Sequence, residues 1–586
     1  MSRFYDLVII DSGFCSSKYP DVDVYIKGNE WQIGTDNDTI GHGTGVLSIV
    51  SKSYAGKFAV FKAFDMEIDN NLPKVMSALN YIYDNITCRV LQLSFGVRGY
   101  YPEFEEVCRR IYQKGIIIVS AFDNSGAMSY PAAWDFVVGV DGNPYCKTKN
   151  DFDVFVNGVV DIKAKSGYQL IETNRTSNGY AIKPGNSYAA SYVSLKILEN
   201  EKKVHTKEDA MKIFRPDYER LIHKNDMSLS ECRAAVFPLN KENYSLVNYY
   251  DMAVPDIVDI YDIKYSSNVG RRISSFDRKK SFTIKNIDKC EWDTFDTMII
   301  GHVRKLSMIL GRDVKKELLQ KCLENHKNVF CYDNFGVDEY RNNFKEEGLL
   351  LVTADDYYYY DMFGKLYQFS TPILAVFGTS KKQGKFTLQM QIKRILKAQR
   401  VKVGQLGTEP TGLILGCDEI IPTGYDCKIW NSSGSGIIEV VNKKMHELDI
   451  KGFDVILCGA QSGFYPGYCF NVNQININAM AFMFGVMPDG VILAVNYHDT
   501  VQHIKNNINA REALGRCKVI MLALYAFRIE VDNVINTRKD RLSAEEIRGF
   551  SEKMKKEFGI DVAVSGDAAY DDVILRNIKK YFCEET

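Results

Sequence analysis

Four side chains in the first 200 residues have the types and neighbours that acyl-transfer chemistry needs. Asp11 ends an apolar run (Val8-Ile9-Ile10) and is followed by the turn pair Ser12-Gly13. His42 lies in Gly41-His42-Gly43-Thr44-Gly45, at the mouth of an apolar helix-forming stretch. Ser187 lies in Gly185-Asn186-Ser187-Tyr188-Ala189-Ala190, a glycine-to-helix junction followed by small residues. Asn124 lies in Ser120-Ala121-Phe122-Asp123-Asn124-Ser125-Gly126, after another apolar run. A serine hydroxyl is a poor nucleophile until a neutral imidazole takes its proton, and a carboxylate fixes the tautomer and steadies the cation that results. His42 is the only histidine before residue 205, so it is the one available base in this region. The Asn124 amide is of the type that donates to a developing oxyanion.

Such side chains must be presented by strand ends and helix starts, and the surrounding pattern supplies both. Short apolar runs at 7–10, 58–61, 90–93 and 116–119 predict buried strands, and 43–50, 72–86 and 102–114 predict helices. Strand–helix alternation implies a parallel sheet covered on both faces. A polar, helix-prone stretch at 199–230 is expected to link domains. Alternation restarts at 233, with strands expected at 234–237, 257–261, 297–301, 329–332 and 349–352. The tract 355–361, with four consecutive tyrosines, is expected to be a surface turn. A third α/β unit opens at Ile373, and in it Ser543 and Glu546 predict a capping box starting a helix to about Phe558.

The order Asp…His…Asn…Ser with these flanks resembles the subtilisin-like serine peptidases (subtilases) over roughly residues 4–200. Leu93-Ser94-Phe95-Gly96 is similar to that family's substrate-binding edge strand, and Tyr130-Pro131 follows the oxyanion segment as in the family. The resemblance implies that Asp11 orients, His42 acts as base and then acid, Ser187 attacks and Asn124 stabilises the oxyanion. Three positions depart from the family pattern: Asn186 stands for the usual Thr, Ser191 for a Pro and Asp123 for a Gly. They imply narrow specificity or slow turnover. The sequence starts almost directly at the Asp11 strand, so no inhibitory propeptide is expected, which suits an intracellular processing enzyme.

A second centre of chemistry lies beyond residue 370. The apolar run 373–377 leads into Gly378-Thr379-Ser380-Lys381-Lys382-Gln383-Gly384-Lys385-Phe386-Thr387, followed by an amphipathic helix. Glycines let backbone N–H groups wrap a phosphate, Lys385 neutralises it, and Thr387 reaches a magnesium ion. The predicted nucleotide-binding residues are Gly378, Thr379, Gly384, Lys385 and Thr387, with ATP or GTP and Mg2+ as cofactors. This loop resembles a little-described P-loop family that includes D-glutamate N-acetyltransferase-like proteins, over about residues 370–582. Further agreement comes from Gly404-Gln405, Thr411-Gly412 with Asp418, Gly459-Ala460-Gln461-Ser462, and Pro488-Asp489-Gly490 before His498. The unit at 233–352 then corresponds to that family's Rossmann-like half. Gly459 stands where the family tends to have an acid, so the metal role passes to Asp418 or Asp454, alongside Thr387.

Composition bounds the rest. With 586 residues the chain is expected to form several domains. The expected fold class is α/β: a subtilisin-like, doubly wound parallel sheet domain (1–200), a helical linker (201–230), a small Rossmann-like α/β domain (231–355) and a P-loop NTPase-like α/β domain (356–586). Apolar residues at 46% and charged residues at 25% exclude a disordered chain. Lys+Arg of 73 against Asp+Glu of 74 argues against recruitment to nucleic acid by bulk charge. No apolar run approaches the roughly 20 residues that span a bilayer, and no signal core follows Met1, so a cytoplasmic location is expected. The 14 cysteines are scattered without zinc spacing and read as buried small side chains. The two resemblances together imply an intracellular serine endopeptidase fused to a nucleotide-binding domain, and such a fusion looks like a peptide-maturation protein that cleaves a ribosomally made precursor. A nucleotide-gated regulatory or scaffold protein with a restricted or inactive peptidase is the alternative.

Overall fold

Parallel strands set the positions of most candidate residues, because in each sheet the carboxyl ends of such strands share one edge. A computed structural model describes residues 3–583 apart from 66–70, 157, 201–202, 217, 219–226, 358–364, 382, 423–428, 430–433, 461–462, 464, 467–474 and 532–536. It divides into two compact units, one of residues 1–222 with 359–365, the other of 223–358 with 366–586.

The first unit is built on a nine-stranded sheet. Its spatial order is Trp31–Gly34, Asp23–Lys27, Phe58–Lys62, Arg3–Asp11, Ile86–Leu93, Ile117–Ala121, Val138–Asn143, Ile162–Lys165 and Phe152–Val154. Both edge strands run antiparallel to their neighbours and the strands between them are parallel. The central strands are apolar on both faces, as a doubly covered parallel sheet requires. Helices His42–Ser51 and Asn186–Leu198 pack on this sheet through Val46, Leu47, Val50, Ala189, Ala190 and Val193. The predicted helix 72–86 ends at Asn85, because Ile86 already starts the next strand.

One expected boundary moves. Residues 201–230 were predicted to form a linker, but the helix Lys207–Phe214 buries Ala210 and Met211 in the first unit's core, and Lys207 Nζ lies 2.8 Å from Asp161. A polar sequence hid this, since only one short face is apolar.

The second unit contains two fully parallel sheets. The six-stranded sheet has the order Lys285–Asn286, Asp256–Asp262, Arg233–Phe237, Thr297–Ile300, Asn328–Cys331 and Leu351–Thr353. The seven-stranded sheet has the order Glu419–Ile420, Val403–Gly407, Val455–Gly459, Ile373–Gly378, Gly490–Val495, Lys518–Leu524 and Val562–Val564. The two sheets were expected as separate domains, yet Val236, Ile299 and Phe330 share one core with Met390, Ile414 and Ile420. The capping box is present: Ser543 Oγ accepts from Glu546 N at 3.2 Å, Glu546 Oε2 accepts from Ser543 N at 2.8 Å, and the helix runs Ala544–Phe558. The tyrosine tract lies largely outside the described residues. No helix among the described residues is long and apolar enough to cross a membrane.

Candidate functional site

Strand register brings the first unit's chemical residues to one edge. Ile10 pairs with Leu93, Leu93 with Ser120, and Ala121 with Val140. The residues next along each strand or just past it, namely Asp11, Ser94, the 122–126 loop and Asp141, therefore emerge side by side. Asp11 Oδ1 lies 2.8 Å from His42 Nδ1, and its side chain is 2% exposed. Gly41, at φ +73°, starts the His42 helix, and a Cβ on Gly43 would overlap the Gly13 carbonyl oxygen. Two glycines thus allow the histidine helix to approach the aspartate turn.

His42 is held from several sides. Burial alone lowers an imidazole pKa, but the Asp11 charge, its hydrogen bond and the nearby Asp38 charge outweigh burial and raise it. The Tyr188 ring stands 5.7 Å from the imidazole. Asp38 was not singled out from the sequence, yet it organises the turn. It accepts from Gly41 N, Thr44 N, Thr44 Oγ1 and Ser12 Oγ, and burial pushes its carboxyl up. Asn37-Asp38 reads like any turn, so only the fold reveals that role.

Ser187 sits in the first turn of the helix Asn186–Leu198, where unpaired backbone N–H groups favour negative charge. Its hydroxyl donates to the Ser94 carbonyl oxygen at 2.8 Å rather than to His42. Asn124 Oδ1 accepts from Asn186 N at 2.9 Å, which leaves the amide nitrogen as the free donor end. The unusual Asn186 has a physical reason: its amide donates to Asp141 Oδ1 at 2.8 Å and to the Phe122 carbonyl at 3.1 Å. Ser191 donates to the Ser187 carbonyl and accepts from Gln92. Asp123 is held by Ser125 and Arg98. Burial raises its pKa, but the Ser125 hydroxyl and amide and the Arg98 guanidinium outweigh that and hold it below the usual carboxylate range.

In the second unit, Gly378 closes the strand Ile373–Gly378 and Gly384, at φ +67°, precedes the helix Lys385–Ala398. A Cβ on Gly378 would overlap Gln383 Oε1 and crowd the Lys385 chain, so the loop is a glycine cradle. Lys385 Nζ donates to the Ser380 carbonyl at 2.6 Å. Burial, with help from Lys241, pulls its pKa down to about 7. Residues overlooked in the sequence brace the loop: Asp499 accepts from Thr379 Oγ1 at 2.6 Å, Asn496 donates to Ser380 Oγ, and Arg511 donates to the Gly378 carbonyl. His498 packs against the Tyr497 ring beside this brace.

The loop opens on a cleft of about 610 Å³ lined by Lys385, Thr387, Glu409, Lys241, Arg271 and Tyr525, among others. Of the predicted metal residues, Thr387 lines it. Asp454 does not: it precedes the strand Val455–Gly459 and accepts from Lys402 N, so it lies at the amino ends of parallel strands, the opposite edge from the loop. Asp418 accepts from Gln405 N and stands 3.9 Å from Lys393, two turns along the helix from Lys385. Two carboxylates do reach the cleft, Glu242 and Glu409; Glu409 follows the strand Val403–Gly407, and burial raises its pKa. Among the described residues no cluster of three metal-ligating side chains occurs.

No curated protein matches the chain. A crystal structure of a DUF1611 family protein from Anabaena variabilis is similar at 13% identity, covering 60% of this chain and 100% of that one, with a TM-score of 0.42. A cold-adapted subtilisin-like serine proteinase is similar at 18% identity, covering 38% and 82%, with a TM-score of 0.30. Fervidolysin from Fervidobacterium pennivorans, a keratinolytic enzyme related to subtilisin, is similar at 19% identity, covering 33% and 35%, with a TM-score of 0.26. Residues 362–573 match the family described as "Domain of unknown function (DUF1611_C) P-loop domain", and the second unit thus carries a P-loop domain similar to that family.

Proposed function

We propose that the first unit is a serine endopeptidase of the subtilisin type and that the P-loop domain binds ATP or GTP. The observation that carries the peptidase reading is the Asp11–His42 pair at 2.8 Å, with Ser187 and Asn124 on the same sheet edge. In this mechanism the Ser187 hydroxyl leaves the Ser94 carbonyl, passes its proton to His42 and attacks a peptide carbonyl. Asp11 holds the Nδ1 proton and steadies the imidazolium, which then returns the proton to the leaving amine. The Asn124 amide nitrogen and the Ser187 backbone N–H stabilise the oxyanion. Labelling with a fluorophosphonate probe tests the reading: wild type is expected to label and Ser187→Ala is not. Equal labelling of both removes Ser187 as the nucleophile.

For the P-loop, the glycine cradle and the buried Lys385 fit a polyphosphate, while the Thr387 hydroxyl and the Glu409 carboxylate are the groups that would hold Mg2+. Bound nucleotide supplies a phosphoryl group or a binding switch. We assign the whole chain to maturation of a ribosomally made peptide precursor, from the joining of a peptidase and a P-loop domain in one chain. Cleavage of a peptide library, read by mass spectrometry, is expected at few sites; broad digestion of unfolded casein would remove the maturation role. A second reading, a peptidase gated by nucleotide, is favoured by the Ser187–Ser94 hydrogen bond, which keeps the nucleophile off its base. It predicts that labelling follows nucleotide state.

A further inference from the structure

The oxyanion loop carries a partner that comes from far along the chain. Lys365, in the stretch 359–365 that belongs to the first unit, has a side chain only 3% exposed. A buried ammonium is costly unless paired and hydrogen-bonded. Its Nζ donates to the Gly126 carbonyl at 3.1 Å, lies 3.4 Å from Asp141 Oδ2 and stands 4.9 Å from the centre of the Phe122 ring. All three partners sit on or beside the segment that presents Asn124.

Asp141 links this lysine to the reaction centre. Its other oxygen accepts the Asn186 amide at 2.8 Å, and Asn186 N in turn donates to Asn124 Oδ1 at 2.9 Å. The Asp141 side chain is 17% exposed, so its charge is poorly screened. An uncompensated carboxylate there opposes the negative charge that develops next to Asn124 in the transition state. Asp123, the other carboxylate of this region, has Arg98 and Ser125 for that purpose. Asp141 has Lys365.

We propose that Lys365 is a positioning residue of the peptidase site: it neutralises Asp141 and ties down Gly126, so that Asn186 can orient Asn124 without an uncompensated charge beside the oxyanion. This inference rests on the peptidase reading above. It also means that the site is complete only with Lys365, coded some 180 residues after Ser187, a separation that follows from their positions.

The test uses the full chain and a fluorophosphonate probe, with the maximal labelling rate separated from probe affinity. Lys365→Gln keeps a hydrogen-bond donor of similar length and removes the charge. It is expected to lower the maximal rate roughly tenfold while probe affinity stays within about twofold. Lys365→Arg is expected to keep most of the rate. Adding Asp141→Asn to Lys365→Gln keeps the acceptor for Asn186 and removes the charge that needed compensation, so the double variant is expected to regain most of the lost rate. A purely structural lysine predicts no such recovery, and a double variant as slow as Lys365→Gln overturns the proposal. Equal rates for wild type and Lys365→Gln overturn it as well and leave the peptidase reading standing. No labelling of wild type overturns the peptidase reading and this inference with it.

Discussion

Ser187 and Ser94 are joined by a hydrogen bond from hydroxyl to main-chain oxygen, at 2.8 Å. In the proposed mechanism that bond holds the proton that passes to His42, so the hydroxyl has to rotate before attack and then relies on the His42–Asp11 pair. Ser187→Ala and His42→Ala are each expected to abolish fluorophosphonate labelling while circular dichroism stays unchanged. Asp11→Asn is expected to cost about 10⁴ in rate, because it presents the wrong tautomer. Labelling of Asp11→Asn within tenfold of wild type would remove Asp11 from the site.

Asn124 Oδ1 is fixed by Asn186 N, which under the peptidase reading leaves the amide nitrogen for the oxyanion. Asn124→Ala is expected to lower kcat by roughly 10²–10³ with little change in KM, since the contact is made in the transition state. A change confined to KM would make Asn124 a substrate contact instead.

The raised pKa of His42 sets the pH profile. Asp11 and Asp38 outweigh burial and lift it above the ordinary value of 6.5. Only neutral imidazole accepts the Ser187 proton, so labelling is expected to rise with pH through that raised value. The stabilisation from protonated His42 runs the opposite way: it is complete below 6.5 and is lost as pH climbs through the folded-state pKa. Asp11→Asn is expected to move the labelling midpoint to lower pH. A midpoint that stays in place would mean that another group titrates.

Lys385, with its pKa near 7, is largely neutral at pH 8, whereas pairing with phosphates favours the ammonium. Nucleotide binding at pH 8 is therefore expected to take up a proton, measured by calorimetry in buffers of different ionisation heat. Lys385→Ala is expected to weaken binding roughly 10- to 150-fold, the equivalent of about 1.5–3 kcal/mol. Glu409→Gln is expected to reduce the magnesium dependence and Asp454→Asn to leave it unchanged, because Asp454 lies at the far edge of the sheet. The reverse pattern would restore Asp454 as the metal residue.

Gly43 approaches the Gly13 carbonyl so closely that a methyl group would overlap it. Gly43→Ala is expected to push the His42 helix from the Asp11 turn, destabilising by about 1–3 kcal/mol and slowing labelling. Unchanged thermal stability and labelling would show that the turn can yield.

Local sequence carried much of this architecture. Asp11, His42, Asn124 and Ser187 were legible because each follows an apolar run or opens a helix, and such ends are written in adjacent residues. The Lys385 loop was legible for the same reason. Asp38, Asp141 and Glu409 were not, since a lone carboxylate in a turn or at a strand end looks like a solvated side chain until the fold partners it. Asp454 misled in the opposite sense: proximity to a strand does not say which end of that strand it serves. The helix Lys207–Phe214 was mistaken for linker because Ala210 and Met211 make too small an apolar stripe to stand out.

The first unit is assembled from residues 1–222 and 359–365, with the intervening stretch belonging elsewhere. A ribosome that adds roughly 5–20 residues per second needs on the order of ten seconds to make residues 223–358. Throughout that interval the emerging chain already carries Ser187 and His42 but lacks the lysine that balances Asp141. Synthesis order thus sets a delay: under the peptidase reading, the proposed nucleophile leaves the ribosome well before the lysine that pairs with Asp141.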